Sequence, residues 1–328
     1  MENLLFTVNA ILPLIILVFI GWFIKKIKLI KEEFVSSLSK LCFYVLLPVL
    51  LFKNVYDADF KSTNYKLIGY ILICVVAIFL ITLVGVILFV KDRKKKGVIL
   101  QAIFRSNLAF IGIPLATSLF ESGTQSMLNA GVTVALISAF TIPLFNVLAV
   151  VSLSIFDEQK INFKKIFINI IKNPLIIGIV IGLIFNLMRT EVFKTDFYLK
   201  NNLPFLYKSI SDLAQLASPL ALIMVGGQFE FKATKNLFKY ISVVVLAKMV
   251  IVPFLTLGCA ILLGQFKNYE LVGILVVFAT PTAVASAIMA KEMDQDSELA
   301  GQLVVFTTLI SCITIFIAVY ILKSFGYL

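Results

Sequence analysis

The sequence predicts an all-α polytopic membrane protein, with ten transmembrane helices arranged as a 5+5 inverted repeat and two crossed helices broken in mid-bilayer. Three observations lead there. The first is composition: 60% of the 328 residues are hydrophobic and 14% charged, with mean hydropathy +1.03, against roughly 45–50% and 25% in soluble domains. The second is a succession of apolar runs of about 20 residues, the length that crosses a bilayer as a helix. They are continuous and lack the alternation of a transmembrane β-barrel. The third is a pair of proline interruptions, one in each half. One reads Ser106-Asn107-Leu108-Ala109-Phe110-Ile111-Gly112-Ile113-Pro114 and the other Phe278-Ala279-Thr280-Pro281-Thr282-Ala283-Val284-Ala285-Ser286. A helix broken in hydrocarbon strands backbone N–H and C=O groups, so it survives only against protein or a wet cavity. A matched pair in two halves is the sequence pointer to a transporter's binding site.

The expected spans are 5–24, 36–54, 66–90, 97–119, 126–154, 166–187, 205–228, 238–264, 269–290 and 299–322. The first is a retained helix: Met1-Glu2-Asn3 offers no basic leader, and Lys25, Lys26 and Lys28 stop transfer. At an offset of roughly 160–170 residues Pro13 pairs with Pro174, Pro48 with Pro219 and Pro114 with Pro281. Five spans per half is odd, so the second half enters the membrane in the opposite sense. The repeats are then 1–156 and 157–328, joined at Asp157-Glu158-Gln159-Lys160. Pro114 and Pro281 mark breaks, whereas Pro13, Pro48, Pro143, Pro174, Pro219 and Pro253 read as kinks.

Orientation follows from lysine and arginine. Lys25–Lys40, Lys91–Lys96, Lys160–Lys172, Lys232–Lys239 and Lys291 fall in alternate loops, which become cytoplasmic and leave both termini outside. The net charge of +11 is then mostly this bias, not a nucleic-acid footprint. Histidine is absent, which removes His-based proton relays, zinc sites and Ser-His catalysis. Cys42, Cys74, Cys259 and Cys312 each stand alone in an apolar span and read as small buried residues, so no metal site and no cofactor is expected.

Each break makes a half-helix N-terminus, which attracts anions, and a half-helix C-terminus, which attracts cations. The candidate substrate-binding residues are therefore Asn107, Gly112, Pro114, Thr280, Pro281, Thr282 and Ser286. Asp212, Gln215 and Lys248 are candidates for coupling or charge balance. Lys248 either snorkels to the interface or faces a wet cavity. Arg105 reads as an interfacial anchor. Asn146, Gln215 and Gln228 line a pathway or join helices.

Asn107-Leu108-Ala109-Phe110-Ile111-Gly112-Ile113-Pro114 resembles the Asn-x-x-Phe-x-Gly-x-Pro stretch of the auxin efflux carrier family, which includes bacterial malate-type permeases. In the second half Thr280-Pro281-Thr282-Ala283, Met289-Ala290-Lys291-Glu292, Asp296 and Thr307-Thr308 are similar to that family's run. The resemblance covers essentially the whole chain, without the long central loop of the plant carriers. It implies a crossover fold similar to that of bile-acid and sodium–proton transporters, with spans 1, 2, 6 and 7 as scaffold and spans 3–5 and 8–10 as the transport part. It also implies a secondary transporter that moves a small organic anion (a carboxylate such as malate or an auxin-like acid) across the cytoplasmic membrane by elevator-type alternating access. A channel-like or ligand-sensing protein on the same fold is the alternative. The expected partners are the anion and the lipid bilayer, with no nucleic acid. Na+ or H+ coupling stays open, and a homodimer is one option. No intramembrane acid pair or Gly-x-Ser-x-Gly elbow supports an enzyme.

Overall fold

The computed structural model describes residues 2–58, 64–108, 111–112, 115–116, 119–120, 125–156, 163–189, 198–229, 231–266 and 268–328. The described residues are almost all helical. In order they form α1 (Glu2–Lys26), α2 (Glu32–Leu41, continued by Cys42–Leu46 and Leu47–Asp57), α3 (Tyr65–Phe89), α4 (Arg93–Phe104), α5 (Gln125–Ile155), α6 (Phe163–Lys172) and α7 (Pro174–Leu187). There follow α8 (Leu199–Asn202), α9 (Pro204–Gln228), α10 (Phe231–Leu246, continued by Ala247–Ile251 and Val252–Leu263), α11 (Asn268–Ala279), α12 (Ala285–Glu292) and α13 (Ser297–Ser324). Among the described residues, six segments are each long and apolar enough to cross a membrane: Glu32–Asp57, Tyr65–Phe89, Gln125–Ile155, Pro204–Gln228, Thr234–Leu263 and Ser297–Ser324. Pro174–Leu187 and Asn268–Ala279 are shorter apolar helices.

Polar residues set many of the helix starts. Asn64, Asp92, Asn173 and Asp296 sit at the N-caps of α3, α4, α7 and α13, and each accepts from a backbone N–H of the first turn. The proline readings divide. Pro13, Pro143 and Pro219 lie inside continuous helices. Pro174 instead opens α7, where its missing N–H is one the helix would leave unpaired anyway. Pro48 and Pro253 each follow a wide π-turn, Cys42–Leu46 and Ala247–Ile251. A proline ring collides with the carbonyl four residues back, and the wider turn carries the helix past it.

Two sets of helices pack together. In one, α1 lies along α9 and α2 along α7, with α9 also against α2. In the other, α3, α4, α5, α10, α11, α12 and α13 pack among themselves. Contacts of α13 with α1 and α9, of α12 with α2 and α9, and of α5 with α7 join the sets. Within the first set backbones meet at glycine. A Cβ on Gly21 would fall on the carbonyl of Ile223, and one on Gly226 on that of Val18. Gly178 and Gly182 pack against the backbone of Pro48 and Phe52, where a Cβ would approach the carbonyl oxygens to 2.5 and 2.7 Å. Such small-residue crossings are how helices associate where lipid is as apolar as the side chains.

Of the cysteines, Cys42 is buried, Cys74 and Cys312 are half-buried and Cys259 is exposed. The burial expected from sequence holds for Cys42 alone. A small apolar thiol suits a lipid-facing helix surface as well as a core.

Candidate functional site

The two interruptions meet. α4 ends at Phe104, Arg105–Asn107 is extended and helix resumes at Leu108. α11 ends at Ala279 and α12 begins at Ala285, leaving Thr280–Val284 outside any helix. The backbone N–H of Asn107 donates to the Pro281 carbonyl at 2.8 Å, and Ser106 and Thr282 form an antiparallel bridge. Each segment thereby pairs backbone groups that the other's break had freed. The first break thus begins at Arg105, ahead of the Gly112–Pro114 position expected from the proline motif. Ile111 and Gly112 are helical, and Pro114 lies outside the described residues. At Asn107 the bond to Pro281 takes the place of a helical one.

The threonine hydroxyls of the second break serve the protein itself. Thr280 Oγ1 donates to the Val276 carbonyl and Thr282 Oγ1 to that of Ala102, both at 2.8 Å. Thr307 of α13 accepts from the Thr282 N–H at 3.1 Å. Gln101 Nε2 donates to the Ser286 carbonyl at 3.1 Å, while the buried Ser286 Oγ has no partner among the described residues.

Two basic side chains lie buried at the crossing. Lys248, in the π-turn of α10, is wholly buried, and its Nζ donates to Ser106 Oγ at 2.5 Å. Of the two expectations for Lys248, snorkelling is therefore excluded. Arg105 is also buried, at 3% exposure, which corrects its reading as an interfacial anchor. Its guanidinium donates to Asn146 Oδ1 at 2.8 Å and to Met289 Sδ at 2.9 Å, and Asn146 Nδ2 is fixed by the Ile142 carbonyl at 2.8 Å. Because α4 unwinds at Arg105, this side chain turns inward at the break rather than along the helix toward the surface. No carboxylate pairs with either cation among the described residues. Among the other acids, Asp57 is engaged with Lys53, Tyr198 and Tyr207, Glu270 with Asn64, and Glu292 with Ser39. Asp212 and Gln215 lie exposed on α9, away from the lining of the crossing.

A cavity of about 40 Å³ sits at the crossing, lined by Arg105, Ser106, Asn107 and Asn146 with apolar walls from Leu47, Leu50, Leu51, Ile142, Phe145, Leu175, Ala283 and Ala285. At about 10–15 Å³ per water on this measure, it holds three or so, the bulk of one carboxylate group. A chamber of about 250 Å³, lined by Lys53, Asn54, Asp57, Leu108 and Ser138 among others, shares Ile142 with it. Arginine presents five N–H donors and Asn146 and Met289 occupy two of its nitrogens; an ammonium only donates, so the Ser106 hydroxyl that receives it keeps its own proton to give. The lining of this small space includes no carboxylate. The sequence had singled out Asn107. Ser106 and Arg105 were readable only as neighbours of the motif, because nothing in a linear pattern says which residue carries the bend.

The sequence profile of a family described as "Membrane transport protein" matches residues 6–320. The chain is 22% identical over 317 residues to an uncharacterized transporter of Methanothermobacter thermautotrophicus, covering 94% of this chain and 95% of the other. It is 24% identical to an uncharacterized transporter of Methanocaldococcus jannaschii, covering 94% and 96%. It is 24% identical over 333 residues to the lysosomal cholesterol signaling protein of Mus musculus, covering 95% of this chain but 37% of the mouse protein.

Proposed function

Since the chain belongs to the membrane transport protein family, we propose that it is a secondary transporter that carries a small organic anion through the crossing of its two broken helices. The observation behind this reading is the buried Arg105 in the lining of a cavity with no carboxylate, beside the buried Lys248 that bonds to the lining residue Ser106. An unpaired cation in hydrocarbon costs about 2.5–3.5 kcal/mol even on the mildest scales, and an anionic solute offsets that cost when bound. The helix order supports a ten-span inverted repeat: α1 pairs with α9 and α2 with α7, and the two breaks pair with each other. In this reading α1, α2, α7 and α9 form the scaffold. The remaining set moves against it and presents the anion to each side in turn, elevator-fashion, across the cytoplasmic membrane, with both termini outside.

In this reading the lysine-rich end is closed where Ser39 Oγ donates to Glu292 Oε1 at 2.8 Å, between α2 and α12. The 250 Å³ chamber, with Lys53 and Asp57, lies toward the other end. The described conformation then faces away from the cytoplasm. Uptake of radiolabelled mono- and dicarboxylates into proteoliposomes, with imposed sodium and proton gradients, tests the reading. Saturable flux of at least one acid, abolished by Asn107→Ala without loss of folded protein, is the expected result. Binding without flux would favour a ligand sensor, a reading to which the name of the mouse relative lends weight.

A further inference from the structure

We infer that the protein works as an anion exchanger, turning over many times faster when an anion rides in both directions than when one return leg is empty. The inference rests on the crossing being the substrate site, and it concerns what becomes of the site's charge when the substrate has left. Every side-chain hydrogen bond of the two basic residues among the described residues lies within one of the two packed sets. Arg105 follows α4 and bonds to Asn146 of α5 and Met289 of α12; Lys248 of α10 bonds to Ser106 at the end of α4. The scaffold set contributes only Leu47, Leu50, Leu51 and Leu175 to the cavity, all apolar. The positive charge therefore belongs wholly to the part that moves. No carboxylate of that part, or of the scaffold, is paired with it among the described residues.

When an anion is bound, the moving part crosses with its charge partly or wholly offset. When the site is empty, the two basic side chains keep only their neutral hydrogen-bond partners and slide past a leucine-lined face toward the other side. Unpaired charge in a low-dielectric path raises the barrier to that step, and the membrane potential acts on it as well. The loaded step is quick and the empty step slow. Ser106 sharpens the difference: held by Lys248, its hydroxyl has a proton to donate and finds its acceptor in the bound anion.

The test uses the full chain in proteoliposomes. Initial uptake of a labelled carboxylate that the protein transports is measured into vesicles preloaded with the same acid unlabelled, and into vesicles without it, at saturating external concentration. The expected result is uptake at least tenfold faster into preloaded vesicles. The exchange rate should also respond less to an imposed potassium diffusion potential of either sign than uptake into empty vesicles does, since the empty return leg carries the larger uncompensated charge. Lys248→Met should bring the preloaded-to-empty ratio toward one, and Lys248→Arg should keep it high. The potential measurement on the unaltered protein stands even if Lys248→Met fails to fold. Equal rates into preloaded and empty vesicles would overturn the exchange mode and leave the transporter reading standing. Absence of flux for every acid, in either loading, would overturn the transporter reading itself.

Discussion

In the proposed reading, Arg105 is the side chain that decides what the crossing can hold. Its guanidinium is fixed by Asn146 and Met289, and Asn146 is fixed in turn by the Ile142 carbonyl. A charge-assisted hydrogen bond in a buried site is worth about 1.5–3 kcal/mol, or roughly 10–100-fold in affinity. Arg105→Gln should therefore raise the half-saturation concentration for the transported anion by about that factor, with the thermal midpoint of the detergent-solubilised protein little lowered. Asn146→Ala leaves the charge but frees its direction, so a smaller rise is expected. If Arg105→Gln transports at unchanged half-saturation, the guanidinium does not meet the substrate. The sequence directs attention to the neighbouring residues and misreads this one. Arg105 precedes the Asn107 motif by two positions, and on an unbroken helix it would point toward the interface. Only the bond between the Asn107 N–H and Pro281, far apart in the chain, shows that the helix has already ended.

At the scale of the helix, legibility depends on whether the cause is local. N-caps and apolar length are local, and the runs expected at 66–90, 126–154, 205–228 and 299–322 coincide with α3, α5, α9 and α13 to within a few residues. The π-turns before Pro48 and Pro253 and the division of 166–187 at Asn173 depend on how the chain settles around a proline, which no hydropathy run encodes. Glycine crossings are likewise silent until the partner helix is known. Gly226→Leu, with its Cβ directed onto the Val18 carbonyl, should push α9 from α1. Overpacking typically costs about 1–3 kcal/mol, so the thermal midpoint should drop by several degrees, whereas Gly69→Leu, which meets open space, should leave it within a degree or so.

The cap of α4 also carries a pH signature. Lys95 beside Asp92 holds its carboxyl below the usual carboxylate range. A depressed pKa adds stability that is present above the unfolded value, about 3.9, and fades as pH falls through the folded one. Asp92→Ala should therefore melt below the unaltered protein at pH 7, by roughly 1 kcal/mol for the lost cap, and the two should converge as pH drops below about 3.9. Parallel curves down to acid pH would show that the carboxylate does not act there.

The whole molecule is two helix sets joined by helix packing and by polar points between them. Ser39 with Glu292 is one of them: Ser39 is fully buried, and the bond joins α2 to the end of α12. If it seals the lysine-rich end, Glu292→Ala should shift the population toward opening there. Single-cysteine reporters at Leu47 or Ala285, in a chain freed of its four cysteines, should then react faster with a membrane-impermeant thiol reagent from that side. Unchanged reactivity would mean the seal lies elsewhere. At this scale the family resemblance read from two short motifs extends over residues 6–320. What the motifs do not contain is the pairing of α1 with α9 and α2 with α7, because helix partners are chosen by surfaces that only the assembled chain brings together.

The most direct measurement is a cryo-electron microscopy map of the protein in lipid nanodiscs, saturated with a carboxylate it transports. The account predicts density for the carboxylate group in the small cavity, within hydrogen-bonding distance of the Arg105 guanidinium and Ser106 Oγ. An acid bound elsewhere, with Leu50, Ile142 and Phe145 closed over an empty crossing, would contradict it.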